Sequence, residues 1–84
     1  MPMKPQVFRN VSLLQYHAVR ARIEAQAEDG EFVGNTGTAR GHGYAARWTF
    51  DEAREILTMQ CTEKPLSVSE SYVDDKILAL VRSV

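Results

Sequence analysis

The chain has a single cysteine, Cys61, among its 84 residues, so it cannot form an internal disulfide. Small secreted domains usually depend on disulfides, and their absence here favours a reducing compartment. Long apolar runs are missing as well, since the longest extends only from Ile77 to Val81 and no apolar signal segment follows the amino terminus. We therefore expect a cytoplasmic protein without a membrane segment.

A strong charge of either sign is also absent. Ten Lys and Arg residues stand against eleven Asp and Glu residues, which gives a formal net charge of −1. A protein whose main task is to neutralise phosphate backbones carries a basic surface. The overall charge therefore argues against general nucleic-acid binding but leaves room for a local basic patch.

What the chain does have is the composition of an ordinary globular domain, with 44% hydrophobic and 25% charged residues. A chain of this length can build only one hydrophobic core. We therefore expect a single domain over residues 1–84, with residues 1–9 as a flexible or extended tail.

The glycines divide the chain, because all five of them fall within residues 30–43. Before this cluster, residues 11–28 are predicted to form a helix that is capped by Asn10 or Ser12 and stopped by the first glycine. The alternation of apolar and polar residues over 21–27 would also fit a strand. Alanine is a good helix former and a poor strand former, so the helix is favoured.

This predicted helix carries two apolar stripes. The first is mostly small, would allow close packing on a sheet or another helix, and contains Val11, Leu14, Ala18, Ala21 and Ala25. The second contains Tyr16, Val19, Ile23 and Ala27. Two stripes are more apolar surface than a small sheet is expected to cover.

The middle of the chain has the pattern of strands. The glycine segment, residues 30–43, contains strand formers and is predicted to be a weak strand followed by a turn. Residues 44–50 and 56–62 each alternate apolar with polar side chains, and the aromatic residues of the first run share one face. Because the polar residues 51–55 have the length of a hairpin connection, an antiparallel hairpin is the firmest structural prediction.

The last segment is predicted to be a second helix. Ser67 and Glu70 have the spacing of a capping box, which places the start of the helix at about residue 68. Its apolar face consists of Val73, Ile77, Leu80, Val81 and Val84, with Leu78 at the margin. The predicted fold class is α+β, with an N-terminal helix, a small three-stranded antiparallel sheet and a C-terminal amphipathic helix packed on the sheet.

Catalytic chemistry has little support in the sequence. Cys61 is predicted on the inward face of its strand, where burial disfavours the reactive thiolate. His17 and His42 lie on other elements, and these three residues lack the spacing of a metal site or of a nucleophile with its base. The glycine segment around Arg40 opens into a strand, whereas phosphate loops open into a helix. We expect no enzyme activity and no catalytic, cofactor-binding or metal-binding residues.

A binding role follows from the two stripes of the first helix. We expect a non-catalytic protein-interaction module, most simply a homodimer that associates through Tyr16, Val19 and Ile23. The weak glycine-containing strand could also pair with a partner strand. The alternative to both is that the second stripe only packs against loops.

A nucleic-acid-binding module is the competing hypothesis from another functional class. Arg40, His42, Tyr44 and Arg47 could form a basic and aromatic strand face on which unpaired bases stack. Alternation along the strand, however, directs Arg47 away from Tyr44 and Trp48, so charge and rings are predicted on opposite faces.

Overall fold

The computed structural model describes residues 4–83, which form two helices and a five-stranded antiparallel sheet in the order β1-β5-β4-β3-β2. The elements are β1 (Gln6–Phe8), α1 (Leu13–Gln26), β2 (Asp29–Val33), β3 (Thr36–Gly41), β4 (Tyr44–Asp51), β5 (Ile56–Glu63) and α2 (Glu70–Arg82). The α+β class is as predicted, but the sheet has five strands instead of three. Neither helix is long and apolar enough to cross a membrane.

The predicted hairpin is present as β4 and β5, each one residue longer than expected. Trp48 pairs with Met59 and Phe50 pairs with Leu57, so the buried side chains of both strands share one face. Both helices contribute to the core on this face, and the opposite face of the sheet is open to solvent. Strict alternation therefore identified both the strands and the face that carries the core.

The two additional strands come from segments without that alternation. The glycine segment forms β2 and β3, joined at Gly34, whose φ of +57° suits a residue without a Cβ atom. The predicted tail contributes β1, which pairs with β5 and buries Phe8, while residues 1–3 of that tail lie outside the described residues. A three-residue strand is too short for a periodic signal to appear in the sequence.

Helix α1 is shorter than the predicted helix over residues 11–28. Ser12, rather than Asn10, is the N-cap, and its hydroxyl accepts from the backbone N–H of Gln15, whose side chain accepts in return from Ser12. The chain leaves the helix after Gln26, and the N–H of Glu28 donates to the carbonyl of Arg40. The helix therefore ends where the chain turns back along the sheet.

Helix α2 begins two residues later than predicted. Its N-cap is Ser69, which accepts from the N–H of Tyr72, so the predicted capping box of Ser67 and Glu70 is wrong. The preceding segment turns instead, because the N–H of Val68 donates to the carbonyl of Pro65. The predicted apolar face is confirmed for the four members that the structure describes: Val73 and Val81 are buried, while Ile77 and Leu80 are half-buried. Its remaining member, Val84, lies outside the described residues.

One end of the helix layer is tightly packed around Tyr16. The indole N–H of Trp48 donates to the Tyr16 hydroxyl over 3.1 Å, and that hydroxyl donates to the carbonyl of Gly34, also over 3.1 Å. The rings of Tyr16 and Phe50 stack with their centroids 4.5 Å apart. The N-terminal half of α1 is thus fixed to the turn between β2 and β3.

Candidate functional site

The structure places the predicted dimer interface in the core. Tyr16 is 1% exposed, Val19 is fully buried and Ile23 is half-buried, so this stripe faces the sheet instead of a second chain. The prediction assigned the two stripes of α1 to the wrong sides. The larger side chains bury more apolar area when they face the sheet, and this decides the orientation of a helix that is apolar on both sides.

The other stripe of α1 is on the outside. Leu14 is 80% exposed, Ala21 and Ala25 are exposed, and Ala18 is half-buried. At about 100° per residue, these four side chains lie opposite the buried stripe. No charged residue interrupts them, although the outer face of a surface helix is ordinarily polar. We call Leu14, Ala18, Ala21 and Ala25 the outer stripe.

The four residues proposed for nucleic-acid contact are divided between the two faces of the sheet. Arg47 lies on the open face, where its Nε donates to Oε1 of Gln60 over 2.9 Å. The Arg40 guanidinium lies 3.9 Å from the Glu63 carboxylate. Tyr44 packs on the helix side, and His42 is exposed in the turn between β3 and β4. The predicted separation of Arg47 from the ring of Tyr44 is therefore confirmed.

Acidic residues further weaken the open face as a phosphate-binding surface. Asp29 and Glu31 line the same depression as Arg40 and Arg47. Carboxylates beside the arginines offset the positive potential that would attract a nucleic-acid backbone. These observations favour a function that uses the helix side of the molecule.

A cleft of about 650 Å³ opens on the helix side, between the C-terminal half of α1, helix α2 and the sheet. It lies at the end of the helix layer that holds the turn between β3 and β4. Its apolar lining includes Ile23, Ala39, Ala46, Met59, Val73 and Ile77. The volume is within the range of about 300–1,000 Å³ that is usual for small-molecule sites.

Cys61 belongs to the lining of this cleft and is buried, as predicted for a core cysteine. Its Sγ donates to the carbonyl of Glu63 over 3.0 Å. Burial raises the pKa of the thiol above its ordinary value of 9.0, so the thiolate is disfavoured. This environment is the opposite of the one that activates a catalytic cysteine.

Metal-ligating side chains are dispersed through the described part of the chain. Within residues 4–83, no group of three or more His, Cys, Asp or Glu side chains is arranged to hold a metal ion. The sequence hypotheses missed both the outer stripe as a surface and the cleft. The signal for the cleft was the run of small residues Ala39, Gly41, Ala45 and Ala46 in two adjacent strands.

In comparisons with known proteins, no family model matches this chain, and neither curated proteins nor solved structures contain a significant match.

Proposed function

We propose that the protein is a non-catalytic protein-interaction module that forms a homodimer through the outer stripe of α1. The observation that carries this proposal is that α1 is apolar on both sides, with Leu14 exposed by 80% at one end of the outer stripe. An uninterrupted apolar face exposed to water is characteristic of a surface that another molecule covers.

The spacing of the outer stripe is suited to a second copy of the same helix. In an antiparallel pair related by a two-fold axis near the middle of the helix, Leu14 of one chain meets Ala25 of the other. The same axis brings Ala18 of one chain to Ala21 of the other. The large side chain therefore meets a small one at each end, and the stripe is complementary to itself.

Small side chains also permit the two helices to come close together. Interaxial distances between packed helices are about 8–10 Å and depend on the side chains at the contact. Three of the four residues in the outer stripe are alanines, which favours the short end of this range. Helix α1, with 14 residues, gives a contact of about 21 Å in length. Such a limited interface predicts a reversible, concentration-dependent dimer.

The charges near the stripe do not oppose this pairing. His17 and Arg22 flank it on the helix surface, so the centre of the contact remains apolar. Nε of Arg20 lies 3.2 Å from the Glu24 carboxylate within the same helix, which leaves this pair neutral as a unit. A contact between apolar centres with charges at the rim is the usual arrangement of protein interfaces.

Light scattering over a concentration series tests the proposal. We expect the wild-type mass to rise towards that of two chains, and Leu14→Glu and Ala21→Glu to remain monomeric at the same concentrations. Both side chains are exposed, so the variants should keep the wild-type circular dichroism spectrum and urea midpoint. The matched control is Leu66→Glu, because Leu66 is 100% exposed and lies outside α1.

Two results would contradict the proposal. If the wild-type protein stays monomeric at every concentration, the outer stripe does not mediate self-association. A dimer that persists in Leu14→Glu must use another surface.

A further inference from the structure

The cleft lies between the two helices, over a part of the sheet that carries small side chains. Nη1 of Arg22 on α1 donates to Oγ of Ser83 over 2.8 Å, which joins the helices at the end of α2. From there, α2 extends back over Cys61, where Val73 is packed. Below the gap, Ala39 pairs with Ala46 and Ala46 pairs with Cys61, so a row of small side chains crosses the sheet there, while the larger Tyr44 and Met59 also line the cleft.

The interior of the cleft is apolar. Its floor contains Met59 and the three small side chains of that cross-strand row, and its walls contain Ile23 of α1 together with Val73 and Ile77 of α2. Hydrocarbon that enters such a site leaves water, which provides a favourable free energy roughly proportional to the apolar area buried.

The charged side chains that line the cleft are all basic, although the Glu28 carboxylate accepts from the backbone N–H of His42 at the margin. Arg22 and Lys76 line the cleft from the two helices, His42 lies at its margin, and no Asp or Glu of the described residues is part of the lining. None of the ion pairs found within residues 4–83 uses Arg22 or Lys76. Arg22 donates one hydrogen bond to Ser83, and its guanidinium has five N–H groups that can donate. Arg40 also lines the cleft, but the Glu63 carboxylate beside it offsets its charge.

We propose that the cleft binds a small amphiphilic carboxylate, with its hydrocarbon part on the apolar floor and its carboxylate at Arg22 and Lys76. Positive charge on both helices, without a carboxylate in the lining, selects an anionic head group. The volume of about 650 Å³ limits the hydrocarbon part to the size of a single small molecule. Ile23 lines the cleft from the side of α1 opposite the outer stripe, while Arg22 lies at the edge between the two surfaces.

Nuclear magnetic resonance titration with decanoate, below its micelle concentration, tests the proposal. We expect the backbone amides of Ile23, Ala46 and Ile77 to shift in a saturable way. Decyltrimethylammonium, which has the same tail and the opposite charge, should bind at least tenfold more weakly.

Two variants and one control separate the head group from the tail. Lys76→Glu alters an exposed residue and should weaken decanoate binding at least tenfold without loss of the fold. Ala46→Leu should fill the floor of the cleft and abolish binding. Arg54→Glu makes the same reversal of charge in the turn between β4 and β5, away from the cleft, and should leave the affinity within about twofold of wild type.

The proposal is overturned if decanoate causes no saturable shifts, or if it shifts the amides around Leu14 and Ala21 instead of those around the cleft. Equal affinity for the two amphiphiles, or unchanged decanoate binding in Lys76→Glu, would overturn the assignment of the head group to these cations. If Ala46→Leu fails to fold, the comparison of Lys76→Glu with Arg54→Glu still decides the result.

Discussion

The two ends of the helix layer are built from side chains of very different size. At the end near the turn between β2 and β3, Tyr16, Trp48 and Phe50 fill the space between α1 and the sheet, and hydrogen bonds join Trp48 to Tyr16 and Tyr16 to Gly34. At the end near the turn between β3 and β4, the same two layers are separated by alanines, and a cleft remains. We call these the packed end and the cleft end.

Glycine and alanine have different effects at these two ends. At the packed end, the Trp48 indole lies directly on Gly37, where an added Cβ atom would overlap the ring. The absence of a side chain there makes room for the largest ring of the core. At the cleft end, Ala39 and Ala46 border the open space of the cleft. The comparison shows that small residues in a sheet serve close packing only where a large neighbour is present to use the space.

The largest difference between the two ends should appear in the free energy of unfolding when one leucine at each end is replaced by alanine. Leu57→Ala empties a fully buried position of the main core and should cost about 2–5 kcal/mol of the free energy of unfolding. Leu80→Ala removes a half-buried side chain that already borders the cleft, so it creates no new enclosed cavity and should cost about 1 kcal/mol. Urea unfolding of both variants measures the difference. Equal costs would show that the cleft end is as tightly packed as the packed end.

Replacing a small residue by a larger one at each end should also change the stability differently, but by a smaller amount. Gly37→Ala forces a methyl group against the Trp48 ring and should destabilise the protein by about 1–3 kcal/mol. Ala46→Val adds two methyl groups where the cleft has room and where a strand favours a branched residue. We expect it to be neutral or to stabilise by up to about 1 kcal/mol, again from urea midpoints. If both variants lose the same stability, the contrast between the ends fails.

The sequence predicted those parts of the fold in which side-chain periodicity and burial agree. The hairpin of β4 and β5 was predicted to within one residue because Trp48 and Phe50 alternate with exposed residues, and their partners in β5 alternate with half-buried polar residues. The apolar face of α2 follows a helical period through Val73, Ile77 and Val81 for the same reason. Ser12 was one of two suggested caps for α1, since a serine before an apolar run has a clear local function.

Other parts depend on contacts between distant segments, which periodicity does not report. Whether Tyr16 or Leu14 faces the sheet depends on which side chain the sheet can accommodate, since both stripes of α1 have a helical period. Strand β1 forms only because β5 offers a free edge. The cleft is lined by two helices that are far apart in sequence. Among the candidate site residues, the position of Arg47 was predicted because strand alternation is a local property.

Ionisation of the Cys61 thiol should make the stability of the cleft end depend on pH. Cys61 lies at the cleft end, and desolvation raises the pKa of its thiol above the ordinary value of 9.0. The folded chain therefore holds the thiol proton more tightly than the unfolded chain does. The stability that this provides is fully present below about pH 9 and is lost as the pH rises towards the higher pKa of the folded state.

The smallest predicted effect is consequently a difference in alkaline stability between the wild type and Cys61→Ser. Serine is of similar size and does not ionise in this range. The variant therefore does not show the loss of stability that thiol ionisation causes in the wild type above pH 9. Between pH 8 and 10, the wild type should lose more stability than the variant by less than about 1 kcal/mol, measured from urea midpoints at each pH. All other residues are the same in both proteins, so their contributions cancel in the difference. Parallel profiles would mean that water reaches Cys61 through the cleft as freely as in the unfolded chain, and the cleft end would then be open down to its floor.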